Sequence, residues 1–401
     1  MKNNIITDIP SKLTLIQEKL CQLKIAGKFE IQNGDEGYST APSNIALIKY
    51  WGKNLNRKQI PDNSSLSYTL GGFRSFTKVT TQGRFLPETN EKTISIKNKL
   101  FLNNKDIEVP IPEKMDILIR SIFNNFADEI TLKIESINNF PTACGIASSA
   151  SGYAALVGAI ADLLQLKKHL RTEELHIWLT EWARLGSGSA TRSAIQSSEE
   201  SFIKWELENN SNENFTETSE MIFHPKWKQV EHCVFVLNEN EKKISSSDGH
   251  KSASTSPFHN IRVAGVTKKI ARMTKALKEF DFETVQQISE EDAFAMHAVM
   301  QTGNPKACYL DEETSKAIAL FIQMRDINEI LAFWTLDAGP NIHILFYKDA
   351  KEILRDYHAK LQELLNREIK VFKNVYRGGL LIGKNEYYNI LDKELLKSSL
   401  N

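Results

Sequence analysis

The chain reads as a two-domain α+β protein, and three observations carry that expectation. Its 401 residues exceed what one hydrophobic core ordinarily holds, which argues for two domains or three. Strand and helix patterns both occur, without the regular strand–helix–strand alternation of a doubly wound sheet. Apolar residues make up 41% and charged ones 25%, the balance of a globular chain and too apolar for disorder.

The elements follow in order. Leu13, Ile16, Leu20 and Leu23 fall at helical spacing, predicting an amphipathic helix over 11–25. A turn-rich stretch from Asn33 to Gly37 comes next, then the strand-like run Ile45 to Ile48. Residues 76–108 alternate apolar and polar in the runs FTKVTT, KTISIKN and DIEVP, as half-buried strands do. Leu132 and Ile134 against Lys133 and Glu135 predict a further strand that ends at Phe140-Pro141. An apolar helix over about 149–165 follows. Residues 206–220 are acidic and rich in Asn and Ser. They read as a solvated loop or insertion rather than a partner site, and as the best place for a domain boundary. The expected division is a 1–35 extension with a helix, an N-terminal domain over 36–205 and a C-terminal α+β domain over 206–401. That last part runs strand (CVFVL), Ser-rich loop, helix 260–278, helical stretch 283–300, helix 314–324, strand, loop, strand (HILFY) and helix 348–365.

Fifty Lys and Arg offset fifty Asp and Glu. A net charge of zero argues against a chain built to grip nucleic acid or an acidic membrane, while a local basic pocket stays allowed. Cys21, Cys144, Cys233 and Cys308 are scattered without a C-x-x-C pair. That excludes a disulfide scaffold or zinc ribbon and suits a reducing cytosol. Met1 to Pro10 shows no apolar signal core. The longest apolar stretch, Gly152 to Leu164, is interrupted by Asp162 and falls short of the ~18 residues of a membrane span. The expectation is a soluble, cytoplasmic protein with neither nucleic-acid nor membrane partners.

Four segments can carry chemistry. The first is Pro141-Thr-Ala-Cys-Gly145-Ile-Ala-Ser148-Ser149-Ala-Ser151-Gly152, between a strand and a helix. Small residues let a phosphate approach the backbone, and the helix N-terminus supplies amides and positive potential. A tight turn built from small residues for packing is the plainer alternative, and no G-K-[ST] of a Walker loop follows. The second is Arg184-Leu-Gly186-Ser187-Gly188-Ser189-Ala190-Thr191-Arg192-Ser193. Two arginines among hydroxyls suit carboxylate or phosphate capture, although Ser187 or Ser189 could equally cap a helix. The third is Ser43-Asn44-Ile-Ala-Leu-Ile-Lys49-Tyr50-Trp51-Gly52-Lys53, a strand that delivers donors at its end. The fourth is Thr335-Leu-Asp337-Ala-Gly339-Pro340-Asn341, which sets one carboxylate in a small-residue turn, where aspartate is more often a turn-former than a base. The nine histidines show no metal-binding spacing. His297 reads as a core or site-wall residue, and no protein-held metal is expected.

Together these segments are far more specific than any one alone. The P-x-x-x-G-[LI]-x-S-S-A loop resembles that of the GHMP kinase superfamily. Within it, NIALIKYWGK at 44–53, PDNSSLS at 61–67, RLGSGSATRS at 184–193 and TLDAGPN at 335–341 resemble the diphosphomevalonate decarboxylases. The likeness runs from about residue 40 to 345. It implies a two-domain GHMP-kinase-like fold with a cleft between the domains. It also implies ATP with Mg2+, and an ATP-dependent decarboxylation of mevalonate 5-diphosphate to isopentenyl diphosphate by way of phosphorylation at the 3-hydroxyl. By the same resemblance Asp337 orients or deprotonates that hydroxyl, with Lys49 close by. Arg192, Ser187 and Ser189 hold the substrate's carboxylate and phosphates, with Asn44 also on the substrate. Tyr50, Lys53, Ser246 and Ser247 face its 5-diphosphate. Gly145, Ser148 and Ser149 form the nucleotide phosphate loop, and Asn63 and Ser64 belong on the nucleotide side. A homodimer is implied as well.

The chain departs from that pattern in three places. SAIQSSEESFIKW after Arg192 is longer and lacks the usual two glycines. Ser247 stands where bacterial relatives often carry an arginine, and His250 replaces a methionine. Gln301-Thr302-Gly303 replaces the usual Asp-Thr beyond His297. The alternatives are a phosphomevalonate decarboxylase, a mevalonate-type kinase, or a nucleotide-binding relative without catalysis.

Overall fold

The computed structural model describes residues 5–6, 8–28, 30–54, 59–84, 98–103, 108–124, 130–140, 146–199, 201–207, 216–238, 246–374 and 378–398. Two sheets organise the chain. The first contains β1 (Glu36–Ile48), β2 (Ser65–Arg84), β3 (Lys99–Leu102), β4 (Glu108–Val109), β5 (Ile130–Asn138), β6 (Phe202–Leu207) and β7 (Thr216–Glu220). The second has β8 (Val230–Val236), β9 (Ala332–Thr335), β10 (Ile342–Tyr347) and β11 (Lys370–Lys373), in the order β11-β8-β10-β9. A last short strand, β12 (Leu381–Ile382), returns to pair with β1 in the first sheet.

The helices are α1 (Ser11–Ile25), α2 (Glu113–Phe123), α3 (Ser148–Leu163), α4 (Leu166–His169), α5 (Thr172–Gly186) and α6 (Ala190–Ser193) on the first sheet's side. Then come α7 (Ser246–Ser252), α8 (His259–Glu279), α9 (Phe282–Thr302), α10 (Glu312–Ile327), α11 (Lys351–Leu365) and α12 (Lys384–Ser398).

Strand β2 shows how one segment serves two neighbours. Its start, Ser65 to Tyr68, pairs with β6, and its later half, from Ser75, pairs with β5. Antiparallel pairing sets Leu66 opposite Ile48, so β1 runs out beside the start of β2 and hands the chain to Lys49. Apolar helix faces cover the first sheet: Leu13 and Leu20 from α1, Leu118 from α2, Leu156 from α3 and Trp178 from α5 join Val79 and Leu132. The N-terminal helix is therefore part of the first core. A second cluster joins the sheets, with Ile45, Leu66 and Tyr68 against Val234, Phe333, Met273 and Ile288. The third lies under α10 and α11, where Phe321, Tyr357 and Leu361 meet Trp334 and Ile344. Each fully buried side chain of this kind contributes about 1.5–3 kcal/mol.

Three expectations change. The break at 206 falls inside the β6–β7 hairpin, whose register pairs Leu207 with Thr216. A segment read as solvated loop is thus closed by two strands of the first sheet, and the second sheet begins only at Val230. Second, the C-terminus does not stay with the second sheet: β12 pairs with β1, and Tyr387 and Ile390 pack on Tyr38 and Phe76. Third, Ser246 onward is helix, where a Ser-rich loop was expected over 245–250. Most of the KTISIKN run lies outside the described residues. Among the described residues no helix is long and apolar enough to cross a membrane.

Candidate active site

Lys49 is the first residue past β1, and Asp337 sits in the turn between β9 and β10, so the pair spans the two sheets. Lys49 Nζ donates to Asp337 Oδ1 at 2.9 Å and to the Ala46 carbonyl at 2.6 Å. The pair is lopsided: the lysine side chain is 1% exposed and the carboxylate 27%. Burial pushes the Lys49 ammonium below its ordinary value, against the pull of Asp337 and Asp292. A sealed cation beneath a half-open carboxylate holds that carboxylate in place for a group arriving from the cleft.

Arg192 lies on α6, nearly sealed at 4% exposure. Its Nη1 donates to Ser65 Oγ at 2.6 Å, while Nε and Nη2 donate to Asn44 Oδ1 at 3.3 and 3.2 Å. The Trp205 ring lies 5.9 Å from the guanidinium carbon. Among the described residues no carboxylate pairs with it directly, though Asp337 contributes through its field. Burial brings its guanidinium down to about 10, which still leaves it charged at neutral pH. A buried arginine held by neutral acceptors is costly unless an anion completes it. Arg184 makes the contrast: it is locked to Glu181 at 2.6 Å, both side chains 1% exposed. Of the two arginines in the motif, one is paired with a carboxylate and the other, among the described residues, is held by neutral acceptors.

Asn44 is oriented by its own amide, which donates to Ser193 Oγ at 2.7 Å. Ser187 ends α5, and Ser189 precedes α6 without capping it through its side chain. Both are half-buried, and Ser187 Oγ is 3.5 Å from Ser149 Oγ. The turn after α5 and the start of α3 therefore share one wall. Gly188 between them is required sterically, because a Cβ there would sit 2.7 Å from the Tyr50 ring.

Tyr50 packs edge-on to Trp205, with ring centroids 4.9 Å apart, and tilted against His250 at 4.2 Å. Burial pushes its phenol up, so it remains a neutral donor. His250, on α7, also stacks on Trp51 at 4.5 Å and accepts the Gly52 N–H through Nδ1 at 3.1 Å. Burial, with Lys53, Lys114, Arg192 and Arg262 around it, drives its imidazole down to about 3. Histidine thus fills the methionine position as a neutral aromatic plug. Lys53 pairs its backbone with Pro61. Lys114, at the start of α2, reaches to 5.8 Å from the Tyr153 ring. Although that side chain as a whole is exposed, its tip is crowded: desolvation, then the charge of Lys53, bring its ammonium down to about 8. Ser246 and Ser247 start α7; their side chains lie outside the described residues.

Ser148 and Ser149 open α3, whose N-cap, Ala147, is left-handed (φ 43°) and offers no capping side chain. A sixteen-residue helix that opens on two hydroxyl residues, with an N-cap residue whose side chain makes no capping bond, suits a nucleotide phosphate. Gly145 lies outside the described residues. Asn63, expected on the nucleotide side, also braces the protein itself. It is buried, donates to the carbonyls of Lys49 (2.9 Å) and Ser64 (2.6 Å), and accepts from Arg262. Its amide holds the Lys49 loop. Ser64 Oγ accepts from the Leu207 amide at 3.2 Å. Among the described residues no group of three metal-capable side chains gathers.

Four functional candidates escaped the reading of the sequence in whole or part. Lys114 carries no signal beyond a helix start, and Arg262 and Asp292 look like ordinary polar positions on long helices. His297 was noticed, but its partner, the Asp337 carbonyl 3.2 Å from Nε2, was not foreseeable. All four depend on contacts between segments far apart in the chain.

Two family models cover most of the chain. Residues 41–216 match the diphosphomevalonate decarboxylase-like N-terminal domain, and residues 232–379 match the mevalonate 5-diphosphate decarboxylase C-terminal domain. Diphosphomevalonate decarboxylase of Candida albicans is 32% identical over 327 residues, covering 78% of this chain and 84% of that one. The Saccharomyces cerevisiae enzyme is 33% identical over 316 residues, 77% and 76%. Among solved structures, mevalonate diphosphate decarboxylase from Staphylococcus aureus superposes with a TM-score of 0.72 at 30% identity, covering 87% of this chain and 98% of that one. MDDEF in complex with MVAPP, AMPPCP and magnesium does so with a TM-score of 0.71 at 30% identity, covering 87% and 99%. With the Lys49–Asp337 pair, the carboxylate-free surroundings of Arg192 among the described residues and these matches in hand, the chain belongs to the diphosphomevalonate decarboxylase family.

Proposed function

We propose that this chain catalyses the ATP-dependent decarboxylation of mevalonate 5-diphosphate to isopentenyl diphosphate, with ADP, phosphate and CO2 as the other products. One observation carries the reading: the half-open Asp337 carboxylate, tied to sealed Lys49, within the field of a buried arginine that has no carboxylate of its own among the described residues. Asp337 accepts the 3-hydroxyl proton as phosphate is transferred to that oxygen, and Lys49 keeps the acceptor in place. Arg192, oriented by Asn44, takes the substrate carboxylate, with Ser187 and Ser189 beside it. Tyr50, Lys53 and Lys114 supply donors to the 5-diphosphate, joined by Ser246 and Ser247. The start of α3, with Ser148, Ser149 and Gly145, receives the nucleotide phosphates. Mg2+ arriving on ATP neutralises the phosphoryl charge; the relative crystallised with AMPPCP and magnesium supports that part of the reading.

The same reading includes a cytoplasmic location, tested by cell fractionation, and a homodimer, tested by light scattering on the purified chain; the resemblance to family members supports both. For the chemistry, ADP and CO2 are measured with mevalonate, its 5-phosphate and its 5-diphosphate in parallel. The 5-diphosphate should give ADP and CO2 in equal amounts. ADP without CO2 would make the protein a kinase, and CO2 from the monophosphate alone would make it a phosphomevalonate decarboxylase.

A further inference from the structure

We infer that α9 is the element that sets the Lys49–Asp337 pair, with Asp292 and His297 as positioning residues, one for each member; this rests on the reading of that pair given above.

Lys49 lies beyond the last ladder bond of β1, so neither of its backbone groups is held by a strand. Side chains hold them instead. Asp292 Oδ2 accepts the Lys49 N–H at 2.7 Å. Arg262 Nη2 donates to the Lys49 carbonyl at 2.7 Å and to Asp292 Oδ2 at 2.9 Å. Asn63 adds a second donor to that carbonyl. Lys269 Nζ completes Asp292 at Oδ1, 2.8 Å away. Five residues along the same helix, His297 Nε2 lies 3.2 Å from the Asp337 carbonyl. A carbonyl can only accept, so Nε2 is the protonated nitrogen and the donor. One rigid helix thus grips Lys49 from the first sheet and Asp337 from the second.

Stability does not explain these residues. Asp292 is fully buried with two cations, and apolar side chains of similar volume commonly stabilise such a site as well or better. His297 is fully buried with Nδ1 unpartnered, a penalty that a leucine would avoid. What both provide is register: the ammonium and the carboxylate meet at one distance. A displacement of about 1 Å can lower turnover ~100-fold.

The test compares His297→Ala with His297→Gln, whose amide can still donate to the Asp337 carbonyl, and Asp292→Leu with Asp292→Asn. In Asp292→Asn, one oxygen can keep the Lys49 and Arg262 contacts, and Lys269 can turn to water. His297→Ala should lower kcat at least ~10-fold while KM for ATP and for mevalonate 5-diphosphate stays within about twofold, and His297→Gln should recover most of the loss. Asp292→Asn should lose less than Asp292→Leu; if the leucine variant does not fold, the histidine pair carries the test. A crystal structure of His297→Ala should show the 2.9 Å Lys49–Asp337 contact broken or lengthened. If that contact is intact, or if KM rises at unchanged kcat, α9 does not position the pair. A wild-type protein that releases no CO2 would instead refute the functional reading, and the crystal structure would still decide the role of α9.

Discussion

Replacing Asp337 by asparagine tests both halves of the pair at once. The variant keeps the shape of the turn but loses the proton acceptor, and removal of a positioned base lowers turnover by about 10²–10⁴-fold. It also strips Lys49 of its nearest carboxylate in a site where the lysine side chain is 1% exposed. Breaking a fully buried pair costs about 3–5 kcal/mol. Two features reduce that here. Asp337 is 27% exposed, and the ammonium, already pushed down by burial, can shed its proton while keeping its bond to the Ala46 carbonyl. We expect about 1–3 kcal/mol. The sign with pH follows from the lysine. Its folded-state value in the variant lies below the ordinary one, so the unfolded chain binds the proton more tightly and the deficit is full at low pH. The deficit then shrinks as pH rises toward the ordinary lysine value. Thermal unfolding of both proteins between pH 7 and 9, alongside CO2 release, reads the two effects. A folded Asp337→Asn protein turning over within tenfold of wild type would refute the role of Asp337, and a deficit that grows with pH would refute the account of Lys49.

Arg192→Lys keeps the charge but loses the planar two-point donor. KM for mevalonate 5-diphosphate should rise at least ~10-fold with KM for ATP unchanged, and equal kinetics would make Arg192 merely structural. Lys114, with its ammonium at about 8, is a cation below that pH and neutral above it. Affinity for the 5-diphosphate should therefore fall as pH rises through 8 in wild type, and calorimetry on Lys114→Met should show a flatter profile. His297 is held neutral by burial, down to about 4. Because the unfolded histidine binds its proton near 6.5, stability falls as pH drops below 6.5, by about 2 kcal/mol at pH 5 from this residue. Urea unfolding of His297→Gln should lack that share of the loss.

Local chemistry made much of the fold legible. The N-terminal helix, α3, and the helices α8 to α11 announce themselves through period and length, because each buries one apolar face. The β6–β7 hairpin did not: Thr216 and Thr218 are buried in a segment whose composition reads as solvent-exposed, and only the neighbouring β2 makes it a strand. The return of β12 to β1 was equally hidden, since a two-residue strand has no period to detect. In the site, Lys49, Arg192 and Asp337 were legible as motif residues, with roles implied by the family resemblance, but the contacts that fix each of them were not. Arg184 and Arg192 sit eight residues apart in the same motif, and only the position of Glu181 makes an ion pair of the first and leaves the second on neutral acceptors among the described residues. The contacts of Asn63 were hidden for the same reason: its partners, Lys49 and Arg262, come from a strand end and a helix 199 positions away.

The central claim is that one site couples ATP cleavage to loss of the substrate's carboxylate, and mevalonate 5-diphosphate labelled at that carboxyl carbon tests it most directly. With ATP and Mg2+, the account predicts one labelled CO2 for each ADP formed, and none when ATP is withheld. Labelled CO2 released without ATP, or ADP formed while the label stays in the organic product, would contradict it.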